Sequence, residues 1–451
     1  MIIKNLSYFL LFILLSSCSF DKATGLWDGS AEEKKKITEL ENKQKRIIES
    51  YDLYSSENIY TSEFLLSQKI IVPKPKKNLS WETSFLNNQN SLGNLFLPGI
   101  DKKFLNKKIG KNKFYLYKIK TSLLAYNNSL IFSDDSGTIF NVNEKGKINW
   151  KLNIYKKIYK KIYKNLTLTV YENVLYVNDN VGFIYAVNLK SGELKWIKNH
   201  KVPLKSKIKI AKDKIFLIDH DNEIFSISSK DGTKLWNIFS ISSFIKSQTL
   251  MPLALSNIDQ LLVLNSSADL FNVNINSGNV NWATNTSGSL NEDVSDFFSP
   301  SELVIKDDNL FFSSASLFFS FNLNNGSINW ESKITSVGAP ILSGDNIFFV
   351  TENGYFIIMD ASTGNILSSN NILKNLRKKN RNTKVTGFIM GSGKIYSVTL
   401  NGNLIVSSAT SGKTEFSKKI ANSISTSPII NDGKLFILTE NSKLIGFKQS
   451  R

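Results

Sequence analysis

The chain has 451 residues, 41% hydrophobic and 21% charged, which excludes a disordered polypeptide and suits a repeat-built globular one. Its formal charge of +18 comes from lysines scattered over the whole length, the pattern of a solvated surface and not of a nucleic-acid groove. A single cysteine rules out any disulfide or cysteine-based metal site, and two histidines, His200 and His220, read as loop residues that leave little scope for imidazole chemistry.

The chain opens with an export signal. Lys4 supplies a positive start and Tyr8 to Leu15 a short apolar run, too short to span a bilayer permanently. The run ends in Leu15-Ser16-Ser17-Cys18, which resembles a bacterial lipobox: an apolar residue, two small ones and the cysteine that becomes lipidated. Residues 1–17 are therefore expected to be cleaved and Cys18 to carry acyl chains, palmitate among them, with a hold well beyond that of one myristoyl group. Residue 19 is Ser and not the Asp that marks inner-membrane retention in lipoproteins, so the resemblance implies the periplasmic face of the outer membrane.

Residues 18–78 read as a tether. Its stretch 31–50, AEEKKKITELENKQKRIIES, suits a short charged helix or a solvated linker, and Pro73 and Pro75 impose an extended path. The next segment, LSWETSF at 79–85, has the look of an isolated strand carrying Trp81.

From residue 121 the chain repeats. The clearest unit is GFIYAVNLKSGELKW (182–196), with relatives at 137–150, 222–236, 268–282 and 316–330 and weaker copies at 354–368 and 402–416. The turn glycines, from Gly146 and Gly192 to Gly412, recur roughly every 38 to 48 residues, the spacing of propeller blades. Alternation over Phe183–Val187 is a strand, Ser191-Gly192 a tight turn, and Trp196 ends the next strand where its ring can pack between blades. An apolar strand precedes each unit, and a further run such as Pro340-Ile341-Leu342 or Pro428-Ile429-Ile430 suits an innermost strand. The expected fold is all-β: an eight-bladed β-propeller, four antiparallel strands per blade, over residues 79–451. The eighth unit stops one strand short, so 79–85 is expected to close the ring beside 442–447.

The repeated G-x-φ-φ-A-φ-[ND]-x-x-[ST]-G-x-φ-x-W unit resembles the PQQ-like propeller repeat. Behind a lipobox, a single eight-bladed domain resembles the BamB-like family of outer-membrane assembly lipoproteins. That resemblance implies a non-enzymatic scaffold of the β-barrel assembly machinery that grips the periplasmic POTRA domains of the barrel-forming subunit through inter-blade loops. Contact with nascent barrel proteins by strand addition is a further implied possibility. On this basis the partner-binding candidates are Phe244, Ile245 and Lys246 before Pro252, and Asp293 and Asp296 before Pro300. The alternatives are another periplasmic propeller adaptor, or a quinoprotein dehydrogenase holding pyrroloquinoline quinone and calcium in the channel. The sequence shows no convincing set of oxygen ligands for such a cation, so no cofactor, metal or catalytic residue is expected.

One motif has no family counterpart. Residues 154–164, IYKKIYKKIYK, repeat every four residues; as a helix they would form one aromatic, apolar face and one lysine face suited to anionic lipid or an acidic partner, and as a strand an insertion before the second blade.

Overall fold

A computed structural model describes residues 35, 59–64, 70–114, 121–240, 249–286, 300–314 and 316–450. The export signal, Cys18 and nearly all of the stretch 31–50 lie outside the described residues. Tyr60–Arg451 form one compact unit built from eight four-stranded antiparallel sheets. Blades 1 to 7 span 124–152, 166–199, 209–239, 253–285, 304–332, 341–371 and 385–419. Blade 8 combines the three strands of 429–448 with an earlier one, Lys102–Lys108. No helix among the described residues is long and apolar enough to cross a membrane.

Within a blade the chain runs from the innermost strand outward. The innermost strands are mostly three residues long, such as Leu124–Tyr126 and Ile341–Ser343. The two middle strands are buried on both faces, because each blade packs against a neighbour on either side. Outermost strands such as Leu194–Asn199 stay largely exposed and carry lysines, which discourage further strand pairing at the rim.

Neighbouring blades are joined by one repeated contact. Trp150, Trp196, Trp236, Trp282 and Trp330 stand on the outer strands of blades 1 to 5. Each indole Nε1 donates to a backbone carbonyl of the next blade, from Trp150 to Leu189 at 2.9 Å through Trp330 to Ala361 at 3.1 Å. The same rings lie over the turn glycine of that next blade. A Cβ on Gly278 would come within 2.9 Å of the Trp236 ring, and its φ of +76° already disfavours any side chain. Blade 6 has Ser368 at the tryptophan position, and there residues 60–64 cover the strand instead. Phe64 exchanges two backbone hydrogen bonds with Ser369, both 3.2 Å.

The closing strand differs from the sequence expectation. Lys102–Lys108, not 79–85, pairs antiparallel with Lys443–Lys448, from Lys102 opposite Lys448 to Lys108 opposite Lys443. The physical reason is the rim. KKFLNKK buries Leu105 and exposes its lysines, as the outermost strand Leu194–Asn199 exposes its own, whereas Trp81 is fully buried against blade 1. Trp81 instead bridges Ala125 on the innermost strand of blade 1. The boundary of the tether also moves: residues 60–64 and 70–78 are part of the propeller unit.

Removing one indole should uncouple two blades. Trp236→Ala is expected to lower unfolding stability by about 3 kcal/mol. Denaturant unfolding should show a lower midpoint than wild type, with hydrogen exchange accelerated in blades 3 and 4 first.

Candidate functional site

Because four antiparallel strands alternate direction, turns between first and second and between third and fourth strands share one face of the ring. Connections between blades emerge on the other, the loop face. The two faces have different chemistry.

Residues 70–100 cross the turn face and seal the channel mouth. They reach the innermost strand or first turn of every blade. Trp81 pairs with Ala125, Val170 N–H donates to Glu82 O, Asn88 Nδ2 donates to Ile210 O, and Asn90 Nδ2 donates to Leu253 O and Leu303 O. The circuit continues with Gly344 packed against Ile71 and Pro73, Ser392 N–H donating to Leu95 O, and Asn78 Nδ2 donating to Ile430 O. Asparagine suits this work because a short amide can pair with strand-end groups that have no ladder partner.

Beneath this plug lies a cavity of about 180 Å³, lined by Trp81, Phe85 and Leu92 from the plug and by Lys207 and Glu302, which lead into the innermost strands of blades 3 and 5. Lys207 Nζ lies 2.6 Å from Glu302 and 4.1 Å from the centre of the Phe85 ring. Lys209, fully buried, donates to Asn90 Oδ1 at 2.5 Å and Asn87 O at 3.2 Å. Burial is the main force on this ammonium and pushes its pKa from 10.5 down to about 7; Glu302 draws it back up and Lys207 lowers it further.

A cavity this small falls below the few hundred Å³ of a typical cofactor site. A hard cation seeks six or more oxygens, yet the lining offers one carboxylate, already engaged by Lys207. The channel therefore does not fit a quinone with its cation.

Among the described residues, one trio has metal-ligand character: His200, Asp219 and Glu223 of blade 3, with ligand atoms within 4.8 Å of one another. Its members are already committed. Asp219 Oδ1 accepts the N–H groups of Asp221 and Glu223, Oδ2 lies 2.9 Å from His200 Nε2, and Glu223 pairs with Lys234. The imidazole stacks on Phe225 with centroids 4.4 Å apart. The trio is a latch between the connection into blade 3 and a turn of that blade, a role that the loop reading of His200 did not contain.

The described residues that flank the sequence-derived partner residues lie on the loop face. Phe244, Ile245 and Lys246 fall within 241–248, between blades 3 and 4, and Asp293 and Asp296 within 287–299, between blades 4 and 5; all five lie outside the described residues. Their flanks are well anchored. Ser240 Oγ donates to Asn222 O and accepts from Asn265 Nδ2, while Thr286 donates to Ala268 O through both N–H and Oγ1. Beside the first loop stands Phe239, 77% exposed at the end of its strand. Sequence reading passed over it because its neighbours looked like ordinary outer-strand residues. It also missed Lys207, Lys209 and Glu302, whose proximity depends on ring closure.

Eight blades with indole-over-glycine joints and a sealed channel mouth define a PQQ-type repeat propeller. The chain belongs to the family described as outer membrane protein assembly factor BamB, whose model matches residues 117–370 and 377–451. In structure it is similar to BamB from Moraxella catarrhalis, at 13% identity and a TM-score of 0.61, over 76% of this chain and 100% of that one. It is similar also to the quinohemoprotein alcohol dehydrogenase of Comamonas testosteroni, at 9% identity and a TM-score of 0.63, over 82% of this chain and 81% of that one. The computationally designed Ika8 protein matches at 11% identity and a TM-score of 0.57, over 76% of this chain and 100% of that one. At such identities these likenesses show the fold alone. No curated protein matches the chain by sequence.

The buried Lys209 sets a pH dependence. Its folded pKa lies below the unfolded value, so between about 7 and 10.5 unfolding takes up a proton and stability rises with pH. Lys209→Met should remove that rise: the wild-type minus variant unfolding free energy, measured by urea titration, should increase across this window and level off above it.

Proposed function

We propose that this protein is a non-enzymatic scaffold of outer-membrane β-barrel assembly, held by lipid on Cys18 at the periplasmic face of the outer membrane. Its partner is the set of POTRA domains of the barrel-forming subunit, bound through the loops 241–248 and 287–299. The observation that carries this reading is the match of the assembly-factor family model across almost the whole ring. The described strands that flank 241–248 and 287–299 belong to three consecutive blades and end on one face, so a single elongated partner can meet both. In this reading Phe244 and Ile245, with the exposed Phe239, supply desolvating contact, and Lys246, Asp293 and Asp296 supply charge that orients the partner. A rigid ring of this kind aids insertion by positioning and needs no chemistry of its own.

Changing Ile245 to Glu together with Lys246 to Ala is expected to abolish co-purification of the barrel-forming subunit from detergent-solubilised membranes, with thermal unfolding unchanged. Undiminished co-purification would show that this loop is not the contact.

The competing reading is an enzyme, because a quinohemoprotein alcohol dehydrogenase shares the propeller fold. Titration with pyrroloquinoline quinone and calcium is expected to give no saturable absorbance change; saturation at micromolar quinone would reverse the non-enzymatic assignment.

A further inference from the structure

The IYKKIYKKIYK stretch does not fold as the helix with one aromatic face that its period suggests. It forms a loop between blades 1 and 2 containing one short 3-10 turn, Lys157–Lys161; Ile154 packs on the core and Lys164 is buried over the Tyr155 ring, while the other four lysines face outward. The tyrosines point inward. Tyr155 donates its hydroxyl to the buried Asp179, Tyr159 packs edge-on against Tyr155 and Phe183 at 6.3 and 5.6 Å, and Tyr163 packs against Phe114 at 6.2 Å. Lys113 Nζ pins the backbone from outside through Lys160 O at 2.9 Å.

What remains outward is Ile158, 78% exposed, Ile162, 45% exposed, and the exposed lysines 156, 157, 160 and 161. None of these four lysines makes an ion pair among the described residues, and residues 145–171 contain no Asp or Glu. The loop is thus a cationic projection with an aliphatic tip, held in shape by half-buried rings packed beneath it.

We propose that the loop 154–164 is a membrane-contact element that binds an anionic lipid surface, its lysines on headgroup phosphates and Ile158 and Ile162 entering the interface. The outward residue types favour lipid over an acidic protein. Protein interfaces draw their energy from Tyr, Trp and Arg and under-use Lys, whereas this loop packs its half-buried tyrosines against neighbouring rings and displays four lysines and two isoleucines. Lysines on flexible stems beside an aliphatic tip are the composition of interfacial membrane segments. Preorganisation by the tyrosines lowers the ordering cost of contact. This inference is independent of the scaffold reading and of the anchor: it concerns a different sector of the loop face and is testable without acyl chains.

The test is sedimentation of the chain from residue 18 onward, carrying Cys18→Ser, with vesicles of phosphatidylcholine alone or mixed two to one with phosphatidylglycerol. Binding is expected on the anionic vesicles only, and release in about 1 M salt, where charges are screened beyond about 3 Å. With each lysine worth roughly fivefold near such a surface, replacing lysines 156, 157, 160 and 161 by Ser should weaken partitioning by at least about a hundredfold. Ile158→Ser with Ile162→Ser should weaken it by about tenfold while leaving the salt dependence in place. Both variants change exposed side chains and should melt as wild type does. Equal binding by wild type and variants, or equal binding to neutral vesicles, overturns the proposal. So does failure to bind either vesicle, and in that case loss of an acidic protein from pull-downs with the lysine variant would assign the loop to a protein partner.

Discussion

The ring depends on an indole laid over a glycine. Each of five tryptophans must find, on the next blade, a turn without a Cβ and a carbonyl facing its Nε1. The two requirements fix both the separation and the rotation between blades, because a ring shifted along the strand loses either the hydrogen bond or the flat contact. A glycine there also holds a φ of +71° to +76°, so the tight turn and the packing surface are one feature. Where the tryptophan gives way to Ser368, the chain brings residues 60–64 to the same strand, an external brace in place of an internal one.

This local character explains what could be read in advance. Blade count, strand order, the positive-φ turns and the innermost runs such as Ile341–Ser343 follow from neighbours in sequence, and the structure has them as read. The identity of the closing strand does not. LSWETSF and KKFLNKK are both plausible strands, and choosing between them requires knowing that outer strands face solvent while the N-terminal segment faces the channel. The same limit hid Lys209 and its asparagine partners, which are 119 and 122 residues away along the chain. In IYKKIYKKIYK the period was legible but not its meaning, since three packing sites for tyrosine rings, supplied by Asp179, Phe183 and Phe114, decided which residues turned inward.

The two ends of the channel have diverged in use. On the turn face, hydrogen bonds from a single segment satisfy strand ends that would otherwise need water, and the space left behind is small and crossed by a Lys207–Glu302 pair. On the loop face, the inter-blade connections are free to vary in length without disturbing the joints between blades, because those joints lie at the outer strands. Variation can accumulate there, from the latch at His200 to the tyrosine-anchored projection at blade 2, while the ring beneath keeps its geometry.

A segment that touches all eight innermost strands also constrains when this molecule can become itself. Residues 70–100 leave the ribosome before any blade exists, yet the groups they bind are spread from Ala125 to Asp432. They must wait as a keystone waits for its arch: the first part of the chain to arrive is the last to be seated. The strand at 102–108 waits for the last blade in the same way. Blades can form one after another as they emerge, but the ring locks only when its final residues are present. A chain interrupted short of Lys443 thus leaves the strand at 102–108 without its pairing partner, offering quality-control proteases an open end that the finished protein conceals.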